Sequence, residues 1–330
     1  MRRWSATGVI IAAAGALLFA WYVRQAGPSE IWGGLRAIGW GFLPIIAIAG
    51  LRFALRAWAL SLCVEPPARL AFRGAFAAVL AGDAIGNLTP LGLIASEPMK
   101  AALIRGDGPL RPAIGAVAIE TLIYTLSVAA MIAATTIALL ISFNLSEDMQ
   151  HAAWIAIAAI AAGFVATAIL VWRQPAIVGG LVSRILPAGS RLQSIPQKLH
   201  DLEQQILTFA TRRRDVIVPI AAAEIAFHAL GVAEIALTVW LIVGAAPPLL
   251  TAFILEGANR LVQVVFKPVP LRAGVDEVTT GMFTRMLGYG VALGATMGIV
   301  RKVRTIFWMS IGMALLVRRG VGRTTTTARN

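Results

Sequence analysis

Long apolar runs broken by short polar stretches set the pattern of the chain. A membrane-spanning helix needs about 20 predominantly apolar residues. Runs of this kind lie at 7–23, 42–64, 112–142, 151–172, 216–244 and 289–317. The run at 112–142 exceeds the bilayer thickness and predicts a helix that tilts or protrudes. Two other regions, 72–105 and 250–287, are apolar but interrupted by Pro, Gly and acidic residues. Each contains one version of the same phrase, PLGLIASE at Pro90–Glu97 and PLRAGVDE at Pro270–Glu277. Both open on Pro-Leu, contain a Gly and close on an acid.

Charge decides how the interrupted regions cross. If 72–105 spanned the membrane once, Lys100, Arg105, Arg111 and the basic stretch after Arg173 would face outward, against the preference of Lys and Arg for the cytoplasmic side. If it instead enters and leaves on one face, 18 Lys and Arg are cytoplasmic and only Arg24, Arg36 and Arg285 are outside. The same parity requires 250–287 to turn back from the outer face. Three full crossings separate the two phrases, so the second hairpin enters from the opposite side. This predicts an all-α polytopic membrane protein with about six full transmembrane helices and two re-entrant helical hairpins in an inverted-topology repeat. Irregular backbone at membrane depth must lie against protein or a water-filled cavity. Pro90 and Pro270 are placed at the turns.

The whole chain, 1–330, reads as a single transmembrane domain. Within it, 72–142 forms a first repeat core and 250–317 a second, 174–214 is a basic cytoplasmic loop, and 318–330 is a disordered cytoplasmic tail. In that loop Leu199, Leu202, Ile206 and Phe209 recur at helical spacing. They predict an amphipathic helix that either lies on the cytoplasmic leaflet or packs on the bundle.

Composition agrees. Of 330 residues 58% are hydrophobic and 14% charged, and the mean hydropathy is +0.79, outside the range of soluble domains. The net charge of +13 is spread over loops between apolar runs, which points to membrane lipids rather than nucleic acid as the partner. One cysteine, Cys63, excludes intramolecular disulfides, and three scattered histidines make no metal-ligand spacing. Neither a phosphate-binding GxxxxGK loop nor HExxH occurs, so no cofactor and no metal is expected.

The candidate chemistry lies in charges at membrane depth. Eight are basic (Arg52, Arg56, Arg260, Lys267, Arg272, Arg301, Lys302, Arg304) and eight acidic (Asp83, Glu97, Glu120, Glu224, Glu234, Glu256, Asp276, Glu277). One charge at the centre of a span costs roughly 2.5–3.5 kcal/mol on insertion scales, so these groups must pair or line a polar cavity. Glu256 and Arg260 are four apart on one helix face, with Asn259 beside them. Glu224 and His228 share the same spacing. The cluster Arg301, Lys302 and Arg304 needs an anionic partner, which Glu97, Glu120, Glu277 or a lipid phosphate would supply.

Three stretches carry a resemblance to a known family. GDAIGNLTPLGLIASEPMKAALIR offers Asn87, Pro90, Glu97 and Lys100; EGANRLVQVVFKPVPLRAGVDE offers Glu256, Arg260, Phe266, Pro270, Gly274, Val275 and Glu277, with Pro270 one step later than the Phe-x-x-Pro spacing; GIVRKVRTIFWMSIG offers Arg301, Lys302 and Arg304. Together they resemble the flippase-like membrane proteins related to the transmembrane region of lysylphosphatidylglycerol synthase, with the hopanoid-biosynthesis-associated branch closest. Ala95-Ser96 stands where the family has Gly-Gly, and Glu120-Thr121 where it has Glu-Arg. The resemblance implies a lipid translocase, or an accessory subunit of one, in a bacterial cytoplasmic (inner) membrane with both termini cytoplasmic. It also implies loss of the soluble aminoacyl-transferase activity that larger members carry, and lipid-biosynthesis proteins as partners.

The substrate-contacting set expected from residues and resemblance together is Asn87, Pro90, Glu97, Lys100, Glu120, Glu256, Asn259, Arg260, Pro270, Gly274, Glu277, Arg301 and Arg304, with no catalytic residue. Lys100, Arg260 and Arg301 are expected to bind an anionic or amphipathic head group, and Glu97, Glu256 and Glu277 to hold those cations in its absence. Two other classes compete: a membrane enzyme acting on a lipid-linked substrate, and a non-catalytic scaffold whose charges are locked in fixed ion pairs. The oligomeric state is not legible.

Overall fold

The structure, a computed structural model, describes residue 24 and residues 28–65, 70–88, 92–105, 110–173, 194–267, 269–272 and 274–324. The expected first span at 7–23, Pro90 and the 174–193 part of the basic loop lie outside the described residues. Those described form helices and no strand: α1 Pro28–Ile38, a 3₁₀ turn Gly39–Gly41, α2 Phe42–Leu62, α3 Phe72–Leu88, α4 Gly92–Ile104, α5 Leu110–Ser142, α6 Glu147–Arg173, α7 Ser194–Arg212, α8 Arg214–Val243, α9 Leu249–Val265, a 3₁₀ turn Pro270–Arg272, α10 Val275–Met286 and α11 Val291–Thr324.

Among the described residues four stretches are long and apolar enough to cross a membrane: Ile31–Leu62, Leu110–Ser142, Glu147–Ile169 and Arg214–Val243. They correspond to four of the six expected spans. The first starts earlier than expected, because α1 runs through the 3₁₀ turn into α2 without a loop. In α1 the apolar positions Ile31, Leu35 and Ile38 pack on the bundle. Trp32 and Arg36 face out, with the guanidinium 5.1 Å from the indole centroid. The run at 289–317 is helical too, but α11 carries Arg301, Lys302 and Arg304 in its middle and is not among the four. It also continues to Thr324, seven residues into the segment expected as a disordered tail.

Two ends of the bundle are defined by separate apolar clusters. At one, Ala59 and Cys63 of α2, Ala116 and Ile119 of α5, Phe209 of α7 and Val216 and Ile220 of α8 are buried together, with Ile104 of α4 against them. Ala75 of α3 packs beside this end with Leu60 and Ala113. At the other, Val239 of α8, Ala252 of α9 and Leu293 of α11 are buried together, with Phe283 and Leu287 at the close of α10. Val216 and Val239 are 23 residues apart on one helix, about 35 Å at the usual rise. That is close to the hydrocarbon thickness of a bilayer.

The pair α3–α4 therefore opens toward the first end, and the pair α9–α10 toward the second. Each pair is short for a spanning unit. α4 has 13 residues and α10 has 12, about 20 Å or less of helix. The C-terminal end of α3 meets the turn that follows α9. The 3₁₀ turn that links α9 to α10 packs on α3, and Arg272 Nη1 donates to Asn87 Oδ1 at 3.3 Å. At this turn Leu271 and Arg272 have φ of 51° and 49°, the left-handed region that β-carbon sterics disfavour. α10 then starts on Gly274 at φ 80°, whose N–H donates to Glu277 Oε2 at 3.0 Å.

α7 packs on the bundle. Leu207 and Phe209 are buried, Asp201 pairs with Arg111 of α5 at 3.0 Å, and Gln205 lies so close to Gly115 that a Cβ there would sit 2.2 Å from its Oε1. Of the two placements expected for this amphipathic helix, the structure has the second. α6 lies at the periphery on α5, with Trp154, Ile155 and Val165 exposed.

Candidate functional site

A cavity of about 120 Å³ opens where the two hairpin tips meet. Its wall carries five arginines: Arg52 and Arg56 from α2, Arg260 from α9, Arg272 from the 3₁₀ turn and Arg304 from α11. Among the described residues the one acid on the wall is Asp83 of α3, and Phe53, Asn87, Tyr124, Phe227, Gln263, Thr305 and Trp308 complete its polar and aromatic lining.

Four of the arginines are held from behind by buried carboxylates. Arg52 donates to Glu234 Oε2 at 3.2 Å and to Glu256 Oε1 at 3.1 Å. Arg260 pairs with Glu256 on the same helix, and Arg304 pairs with Glu234. Arg56 donates through Nη2 and Nε to Glu120 Oε1 at 2.6 and 3.0 Å. Aromatic faces cover the guanidiniums: Arg52 and Arg260 lie 4.4 and 4.9 Å from the Phe227 centroid, and Arg56 lies 3.9 Å from that of Tyr124. Cation–π contacts of this kind add roughly 0.5–2 kcal/mol each. Arg272 differs. Among the described residues no carboxylate lies within ion-pair distance of it, and its Nε, like that of Arg52, is buried without a hydrogen-bond partner. Five guanidiniums against Asp83, Glu120, Glu234 and Glu256 leave one formal positive charge in excess at the cavity.

The expected site residues divide accordingly. Asn87, Arg260 and Arg304 line the cavity. Asn87 also donates to Asp83 Oδ2 at 3.0 Å. Glu120 and Glu256 stand behind it, and Asn259 donates to Glu256 Oε2 at 3.1 Å. Glu97 and Lys100 form an adjacent pair at 3.1 Å, with Thr121 donating to Glu97 at 2.7 Å and Glu120 lying 3.8 Å from Lys100. Gly274 and Glu277 shape the start of α10. Arg301 meets Asp276 at 3.2 Å and Thr280, while Lys302 meets Glu277. The anionic partners expected for the α11 cluster are thus redistributed: Glu277 takes Lys302, Asp276 takes Arg301 and Glu234 takes Arg304, while Glu97 and Glu120 serve Lys100 and Arg56. Glu277 is therefore not the acid that holds Arg301. Arg301 opens onto a smaller space of about 10 Å³ between α9, α10 and α11, and Lys100 lies off the main cavity. Pro270 begins the 3₁₀ turn.

Arg52, Arg56, Arg272 and Asp83 belong to the cavity although they are absent from the expected set. A signal existed for two of them, since Arg52 and Arg56 are four apart on one apolar helix and so share a face. Glycines provide the room for the charges. A Cβ on Gly231 would lie 2.2 Å from Glu256 Oε1, one on Gly82 2.6 Å from Lys100 Cγ, and one on Gly298 2.8 Å from Glu277 Cγ.

Long apolar helices around a cationic chamber define a multi-pass integral membrane protein. Residues 5–312 match the family model described as the lysylphosphatidylglycerol synthase TM region. The chain belongs to that family, a family of membrane proteins linked to lipid biosynthesis or translocation. Neither a curated protein nor a solved structure matches it. The expected relation to this family therefore holds, while the hopanoid-associated branch is a finer statement that the match does not reach.

Proposed function

We propose that the protein is a lipid translocase, not an enzyme, and that the arginine-lined cavity receives the anionic head group of a membrane lipid as it passes between leaflets. The observation that carries this reading is the convergence of five guanidiniums on one small cavity at the meeting point of the two hairpin tips. Guanidinium presents a planar fork of donors that suits phosphate oxygens, and two Nε donors there have no protein partner. An excess of one positive charge suits a monoanion such as a phosphodiester.

In this reading α3–α4 and α9–α10 are re-entrant hairpins that enter from opposite leaflets, and the molecule is an inverted-topology repeat in the inner membrane with cytoplasmic termini. The opposed openings support it, and so does the likeness between halves: the acid that closes each phrase, Glu97 or Glu277, takes a lysine, Lys100 or Lys302. Ion pairs behind the cavity keep the arginines in place between passages. The acyl chains remain in lipid beside the exposed apolar helices.

The test is reconstitution of the purified full chain into vesicles with a trace of head-group-accessible fluorescent phosphatidylglycerol. Dithionite added outside bleaches only the outer leaflet unless lipid crosses. The protein is expected to make the inner pool bleachable, and to do so faster for phosphatidylglycerol than for labelled phosphatidylcholine. An inner pool as protected as in protein-free vesicles contradicts the proposal.

A further inference from the structure

A second polar cluster borders a different cavity from the one the arginines line. An apolar groove of about 970 Å³ runs between α5, α6, α8 and α9, walled by side chains such as Ile123, Met131, Phe164 and Phe253. Among the described residues only Ser127, Glu224 and His228 interrupt its apolar wall, and no lysine or arginine lines it. Glu224 and His228 are buried. They are four apart on α8 but do not pair directly; Ser127 of α5 bridges them. The Ser127 hydroxyl lies 2.7 Å from Glu224 Oε2 and 2.8 Å from the Tyr124 carbonyl oxygen. Both groups are acceptors, so the single hydroxyl proton is committed to one of them, and the carboxylate is the stronger. With Glu224 as the carboxylate, His228 Nε2, 3.2 Å from the same oxygen, donates to it. In the neutral ring this leaves Nδ1 as an acceptor, and Nδ1 is buried without a partner. A buried acceptor left unpaired costs about 1–3 kcal/mol.

We propose that this groove is a separate binding site for an amphiphile with a long apolar body and a small, non-anionic head that donates a hydrogen bond, an alcohol or an amine, to His228 Nδ1. The apolar walls take the body. Ser127 and Glu224 fix the imidazole tautomer through an ordered chain, from ligand donor to Nδ1 and from Nε2–H to Ser127. The carboxylate of Glu224, on a wall where no described residue is cationic, rejects phosphate and carboxylate heads. The groove shares no lining residue with the head-group cavity, so its failure and that of the transport reading are distinguishable.

The experiment is photocrosslinking of the detergent-purified full chain with a diazirine-bearing hexadecanol, and adducts are mapped by mass spectrometry. Adducts are expected on α5 and α8 peptides, displaced by unlabelled oleyl alcohol or oleylamine, whichever head is preferred, and not by oleic acid or hexadecane. Labelling is expected to fall about tenfold in His228→Phe and about threefold in Ser127→Ala, and to be unchanged in Arg272→Gln. Should His228→Phe fail to fold, Ser127→Ala reads the same chain. Equal displacement by hexadecane, stronger displacement by oleic acid, or undiminished labelling in the folded variants overturns the proposal.

Discussion

Glu256→Gln is expected to destabilise the fold by about 3–5 kcal/mol, the usual cost of removing one member of a buried ion pair. Glu256 is 1% exposed and is the shared acceptor of Arg52, Arg260 and Asn259. The amide keeps the shape but removes the charge. Arg52 and Arg304 would then depend on Glu234, and Arg260 on Gln263, which it meets at 3.2 Å. Thermal unfolding in detergent reads the loss as a lower Tm. A second substitution separates charge from packing: adding Arg260→Gln to Glu256→Gln removes the stranded cation and is expected to recover part of the Tm. If Glu256→Gln unfolds with wild-type Tm, the charges behind the cavity are not the support described above.

Arg272→Gln is expected to leave the Tm nearly unchanged and to lower transport of anionic lipid by roughly two orders of magnitude. Loss of a hydrogen-bonded charge against a buried partner costs about 2–5 kcal/mol, and each 1.4 kcal/mol is a factor of ten. Among the described residues no carboxylate lies within ion-pair distance of Arg272, so none loses an ion pair on its removal. Glutamine can still donate to Asn87. Arg272 and Leu271 sit in left-handed backbone at a cost of order 1–3 kcal/mol each. Such conformations persist where surrounding structure enforces them, and here they carry the guanidinium to the cavity. The vesicle assay with fluorescent phosphatidylglycerol checks this. A variant that transports at the wild-type rate would remove Arg272 from the head-group site.

How far the molecule was legible in its sequence depends on the distance between partners. The apolar runs mark four helices that are long enough to cross a membrane, because twenty apolar residues have few other fates. The second phrase marks the turn between α9 and α10, where Pro270 begins the 3₁₀ turn; of the first, Gly92–Glu97 lie in α4 and Pro90 lies outside the described residues. Glu256 with Arg260 was legible at a spacing of four. Arg52 with Glu256 and Arg304 with Glu234 were not, since those partners are 204 and 70 residues apart and any acid at membrane depth was a candidate. Lys100 and Arg301 were expected beside Arg260 from their charge and the family resemblance together. The structure shares them out to local acids, Glu97 and Asp276, and brings Arg52, Arg56 and Arg272 to the cavity instead. Arg272 in particular is oriented by two consecutive left-handed residues, Leu271 and Arg272 itself, that no glycine announces.

Sidedness tests the central claim most directly, that two hairpins from opposite faces bring their tips together at the arginines. Arg105 and Arg285 are exposed at the open ends of the first and second hairpins. In a Cys63→Ser background, single Arg105→Cys and Arg285→Cys variants would be treated in intact cells with a membrane-impermeant maleimide. Opposite behaviour is expected, with Arg285→Cys labelled and Arg105→Cys protected until the membrane is opened. Labelling of both, or protection of both, would place the two open ends on one side of the membrane and contradict the account.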